Sequence, residues 1–196
     1  MATASPIDSS PETRFGGLES CALPRLTVEL VPATTICSNL RSILPPEDWD
    51  GIRRQAYQNA GYRCEICAGK GSSHPVEAHE QWTYVELPMP AGHTESWQVL
   101  TSIWALCPAC HEVKHLGFAE QKGRLPQAMA WLAAINGWSF ATTVAYAQEA
   151  FSTWRQRSRR PWGLDIGWLE TIGWHPPVLR WPPSIRETFD VSSVRP

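Results

Sequence analysis

The sequence predicts an α+β fold: two short strands and a short helix drawn together around sulfur and imidazole side chains, with helices on either side. Three observations predict it. Cys107-Pro-Ala-Cys-His-Glu-Val-Lys-His115 packs two thiols and two imidazoles into nine residues, and Cys64-Glu-Ile-Cys67 repeats the thiol spacing upstream. Between them, Val76–Tyr84 reads as a strand and Trp97–Leu106 as a second strand or an extended turn. Around them the apolar spacing turns helical, as in Trp49, Ile52, Ala56 and Ala60.

Taken in order, residues 1–24 are rich in Ser, Pro, Thr and acids and lack periodicity, so they are expected to be disordered. Residues 25–61 hold an alternating, β-branched stretch at Leu26–Val31, expected as a strand, and a helix from Trp49 to Gly61. Residues 62–117 form the core: a thiol knuckle, strand, a loop over Glu86–Ser96, strand, and a helix carrying His111 and His115. Residues 118–160 give a helical hairpin. Ala128, Trp131, Leu132 and Ile135 line its first helix, Asn136-Gly137 stops it, and Ser139 or Thr142 caps the second, with Val144, Ala147, Phe151 and Trp154 inward. Residues 161–196 repeat Ile-Gly-Trp at 166 and 172 and are expected to form an extended Trp/Pro-rich strap over the domain surface.

Composition narrows the function. Six cysteines in 196 residues are too few for a disulfide scaffold. No basic segment leads into an apolar one at the N-terminus, so a cytoplasmic chain is expected. The charge-free run Leu125–Gln148 is broken by Pro126 and Asn136-Gly137, which argues against a membrane span. Nothing specifies a protein partner or a homodimer. The net charge of −2 excludes a protein that holds polyanions by bulk charge alone.

The paired thiols, Cys64, Cys67, Cys107 and Cys110, have the spacing of a four-thiolate structural Zn2+ site. Cys107-Pro-Ala-Cys-His111 also matches the haem c attachment motif, but that chemistry requires export and would leave Cys64 and Cys67 without a role. His111 and His115, four apart, share one face of a helix and need a further ligand, for which His79 is the candidate, with Glu80 beside it as a second titratable group.

Together, Cys-x2-Cys, Val76-Glu-Ala-His-Glu80 and Leu106-Cys-Pro-Ala-Cys-His-x3-His115 resemble the HNH endonuclease family, in its four-cysteine branch related to the modified-DNA restriction nucleases. The resemblance covers residues 62–116, and the flanks Leu26-Thr-Val-Glu-Leu-Val-Pro32 and Asn136-Gly-Trp-Ser139 are similar to those of bacterial and phage HNH proteins. It implies a ββα-metal core, hydrolysis of DNA phosphodiesters, and a catalytic divalent ion (Mg2+ or another) on His79, His111 and His115. Glu80 or His79 would be the general base. The family pattern places a ligand directly before a base. With His79 as ligand, Glu80 takes the base position; moved by one, His79 becomes the base and Ala78 leaves a ligand slot empty. The family's central Asn falls near Ser102, where it would brace the loop.

Arg53, Arg54, Lys114, Lys122 and Arg124 are the candidate DNA contacts, with a solvated charged face as the alternative. Should the base be lost, the same scaffold would be a non-catalytic zinc module binding nucleic acid or protein.

Overall fold

The computed structural model describes residues 23–89, 92 and 94–175. The expected N-terminal disorder, Cys21, His93 and the Trp181-Pro-Pro183 repeat lie outside the described residues. The fold is α+β, with helices packed on a three-stranded sheet and a four-cysteine cluster at one end.

A short helix α1 (Leu40–Ile43) leads into α2 (Pro46–Asn59). Pro46 stands in the first turn, where its missing N–H costs nothing, and Glu47 and Asp48 complement the helix dipole. Gly61 stops α2 with φ +58; Gly61 N donates to Gln58 O (3.0 Å) and Tyr62 N to Tyr57 O (2.8 Å), which satisfies the last carbonyls.

The hairpin follows: β1 (Glu77–Pro88) and β2 (Thr94–Leu106), antiparallel and longer than expected, so that most of the Glu86–Ser96 loop is strand. A bulge between Gln81 and Trp82 shifts the register, leaving His79 opposite Trp104 and Gln81 opposite Ser102. Ser102 therefore sits in mid-strand and not in a loop. The chain next forms α3 (Pro108–Lys114), a short α4 (Leu116–Gln121) and the hairpin α5 (Leu125–Asn136) and α6 (Phe140–Arg157). Gly137 ends α5 at φ +67, and Ser139 Oγ accepts from Thr142 N (3.1 Å) to start α6, as expected.

Two elements depart from expectation. Leu26–Val31 is extended but pairs with no strand among the described residues. Its polar backbone groups go elsewhere: Asn136 holds Leu26 N (3.1 Å) and Leu26 O (2.9 Å), Glu29 N donates to Lys114 O (2.8 Å), and Trp154 Nε1 donates to Val31 O (2.9 Å). The described part of the strap is not a surface wrap. Gly163–Asp165 forms β3, parallel to β2, and Ile166 and Leu169 are fully buried. Gly163 is required by close approach, since a Cβ there would lie 2.6 Å from the Trp97 ring.

The two faces of the β1–β2 hairpin carry different cores. One joins Leu26, Leu106, Val113, Leu116, Leu132 and Ala147 around the cysteines. The other joins Leu40, Trp49, Ile52, Leu100, Ile103 and Leu169. Strand alternation sends Glu77, His79 and Gln81 to the first face and Ala78 and Glu80 to the second. No helix among the described residues is long and apolar enough to cross a membrane.

Candidate metal centres

Two turns bring the thiols together. After α2 the chain makes no strand before Val76; it turns at Cys64–Gly69, where Ala68 N bonds Cys64 O (2.8 Å) and Cys64 N bonds Gly69 O (2.9 Å). Glu65 fastens this knuckle to the end of β2 through Ala105, backbone to backbone (3.0 Å) and side chain to N–H (2.6 Å). Cys107 and Cys110 stand at the start of α3. The four sulfurs lie within 4.8 Å of one another, with Cys67 and Cys107 at 3.6 Å, far beyond a disulfide and close to the roughly 3.8 Å edge of a tetrahedron built on Zn–S bonds. Gly69 N (3.4 Å to Cys67) and Trp131 Nε1 (3.3 Å to Cys110) donate to two of the sulfurs. A hydrogen bond from Cys110 lowers the Cys64 thiol and raises that of Cys110. The four cysteines fit a zinc site.

On the other side of α3, His111 and His115 meet His79 from β1. The three rings stand edge to face, with centroids 4.9 to 5.3 Å apart, and offer one ligand atom each within 4.8 Å. His115 ends α3 and is not part of the helix proper (φ −103, ψ 49). Two of the imidazoles are held from behind by carboxylates: His79 Nε2 lies 2.8 Å from Glu29 Oε2, and His111 Nδ1 lies 2.6 Å from Glu77 Oε2. That uses one nitrogen of each ring and leaves the other. His79 Nδ1 is buried and has no hydrogen-bond partner. A buried orphan nitrogen costs on the order of 1–3 kcal/mol, which a cation would relieve. The carboxylate behind the imidazole is how metal-bound histidines are commonly oriented. The donor set therefore fits a divalent ion.

Electrostatics agree. Burial, then the other two imidazoles, depress His115 to about 3, and burial lowers His79, so both stay neutral as ligands must. Burial acts to raise Glu29, but the His79 hydrogen bond and the Lys114 ammonium outweigh it and hold the carboxyl at about 2. Lys114, 1 % exposed, donates to Thr27 Oγ1 (2.7 Å) and to Glu29 Oε1. With its amide nitrogen toward Glu29, Gln81 donates to both carboxylate oxygens (3.0 and 3.1 Å) and accepts from Lys114 (3.3 Å).

Several expected site residues are elsewhere. Glu80 points to the opposite face of β1, where its carboxylate accepts from Leu40 N (2.9 Å) and Trp82 Nε1 (3.1 Å); burial raises it to about 7. It is not among the ligand atoms of the histidine cluster, although it lines the cavity that opens on that cluster. Lys114 is buried and cannot contact DNA. Arg53 and Arg54 both pair with Asp50 (2.7 and 3.0 Å), Arg124 pairs with Glu112, and Lys122 lies over the Phe118 ring (5.1 Å). Sequence reading missed Glu29 and Glu77. Glu77 was findable, because alternation places it on the face of His79; Glu29, 50 residues upstream, had no local signal.

A cavity of about 710 Å3 opens on the cluster, lined by Arg41, Trp49, Trp82, Phe118 and Trp154 besides the three histidines. No family model, no curated protein and no solved structure matches the chain.

Proposed function

We propose that the protein is a metal-dependent nuclease of the HNH type, hydrolysing phosphodiester bonds in DNA. One observation carries the reading: three imidazoles converge beside a separate four-sulfur cluster, two of them backed by carboxylates. The thiolates have a structural role; His79, His111 and His115 would hold the second ion. Such an ion supplies Lewis-acid activation of a phosphoryl oxygen and of water. The chain's part is to fix three ligands in a cavity lined in part by the aromatic side chains of Trp49, Trp82, Phe118 and Trp154. Glu80 is not proposed as the base, because its hydrogen bonds turn it to the other face of β1.

Pure protein should nick supercoiled plasmid with Mn2+, Co2+ or Mg2+ and stop on chelation. His79→Ala and His111→Ala should each abolish nicking and retain zinc in the thiolate centre. Undiminished nicking by both variants refutes the assignment.

A second reading has its own support. Arg53, Arg54 and Arg124 are paired with carboxylates, Lys114 is buried, and Glu29, Glu80 and Glu120 line the cavity beside Arg41. A non-catalytic zinc module would show this balance. Failure of the wild type to cleave any plasmid, single-stranded DNA or RNA with any of the three metals would favour it.

A further inference from the structure

The segment before the core does more than cover it. Its Glu29 reaches the deepest of the three imidazoles, which is 3 % exposed, and bonds Nε2 at 2.8 Å. The same carboxylate is gripped by Lys114 and Gln81, and its own backbone N–H is tied to Lys114 O (2.8 Å). Upstream, Asn136 clamps Arg25 N (2.8 Å) and Leu26 N (3.1 Å); downstream, Trp154 holds Val31 O (2.9 Å). The segment is thus pinned before, at and after Glu29 by three different elements. An extended stretch with no strand partner has no ladder of its own to justify this. The bonds place one carboxylate.

We propose that Glu29 is a positioning residue for the histidine cluster: accepting the proton on His79 Nε2, it fixes the imidazole in the tautomer whose bare Nδ1 faces the metal site. This rests on the reading of the three histidines as a metal site. Lys114 and Gln81 act through Glu29, holding its carboxylate so that it cannot swing into the cluster and become a ligand itself. The tautomer matters because an imidazole nitrogen that carries a proton cannot ligate. In solution a free imidazole populates both forms; here a carboxylate on one side selects one. Glu77 holds His111 in the opposite sense, through Nδ1 at 2.6 Å, so the two carboxylates select opposite tautomers on two rings.

The test uses the full chain with Zn2+ in the thiolate centre. Co2+ is titrated calorimetrically into wild type and Glu29→Gln, and long-range 15N–1H NMR reads the His79 tautomer in the Co2+-free wild type. The expected result is one Co2+ bound by the wild type, binding weakened roughly 10–100-fold in Glu29→Gln, and a wild-type His79 protonated on Nε2. Equal Co2+ affinity in the two proteins would overturn the positioning role while leaving the metal site standing. No Co2+ uptake by the wild type would overturn the metal site and this inference with it. Should Glu29→Gln fail to fold, the wild-type spectrum still decides: a proton on His79 Nδ1 overturns the proposal, and one on Nε2 supports it.

Discussion

Lys114→Met separates a structural lysine from a DNA-binding one. Methionine keeps the length of the aliphatic stem and removes the ammonium. In the folded protein that ammonium is 1 % exposed, donates to Thr27 Oγ1 (2.7 Å) and Glu29 Oε1, and lies 5.1 Å from the Trp104 ring centre. Breaking a buried ion pair by removing one partner costs about 3–5 kcal/mol, because the other charge is stranded. Glu29 is not wholly stranded, since His79 and Gln81 still donate to it. The lower end, about 3 kcal/mol, is therefore expected. In a chain of 196 residues that corresponds to a melting temperature lower by roughly 6–12 °C. Urea midpoints, read with zinc saturating throughout, measure the loss. A change within about 0.5 kcal/mol, the usual scale for a surface lysine, together with weaker DNA binding would refute the burial argument.

Three further outcomes follow from geometry. Asn136→Ala should cost about 2–4 kcal/mol in urea denaturation, since it strips Leu26 of both its N–H and its C=O partners under a buried side chain. Gly71→Ala should loosen the zinc centre: the new Cβ would lie 2.2 Å from His74 O and 2.5 Å from the Pro108 ring, pushing the knuckle off α3, and faster zinc loss to a chelating dye would report it. Acid should unfold the protein with a compensated middle range. His115 (folded value about 3, ordinary 6.5) and Glu29 (about 2, ordinary 4.5) bind protons more readily when unfolded, so their contribution is complete above about 6.5 and falls with pH down to 2. Glu80 is raised from 4.5 to about 7, so its contribution is present below 4.5 and lost as pH rises through 7. The two oppose one another between 4.5 and 6.5. Glu80→Gln should gain on the wild type as pH rises across 4.5–7, by at most about 3 kcal/mol, and stability curves that run parallel over that range would refute it.

The thiol centre was legible in the sequence because its information is local. Each Cys-x2-Cys pair shares one turn, and closure of the metal site demands that the pairs meet. His111 and His115 were legible for the same reason, through helical spacing, and the caps of α2, α5 and α6 follow from Pro46, Gly61, Gly137 and Ser139. Glu80 does not share the face of His79 because neighbours in a strand face opposite ways. A bulge between His79 and Glu80 would have put both on one face, and the bulge falls two residues later, at Gln81/Trp82. The Leu26–Val31 stretch has the alternation of a strand, but alternation reports a half-buried extended chain and says nothing about a partner. Its hydrogen bonds run to side chains 110 and 123 residues away, which no periodicity encodes. The buried Ile166 and Leu169 escaped notice because the repeated Ile-Gly-Trp and the Trp/Pro-rich stretch around them read as an extended strap over the surface.

Helix α3 carries residues of both clusters. Cys110 and His111 are adjacent, and successive residues on a helix point about 100° apart, so one short helix can present sulfur to one site and imidazole to the other. The same seven residues, Pro108–Lys114, also carry Lys114, whose side chain returns to Glu29 and through it to His79. A seven-residue helix has little stability of its own. Its ends must be held from outside, by the thiolate centre at the Cys107 end and by the Glu29 segment at the Lys114 end. Zinc in the sulfur site would therefore be expected to order His111 as well, and the Glu29 segment to restrain the sulfur site. Substitutions at the two ends of α3 share this helix as their common element and should couple, the double variant Cys64→Ser/Glu29→Gln differing from the sum of the single losses by more than the roughly 0.5 kcal/mol seen for independent sites.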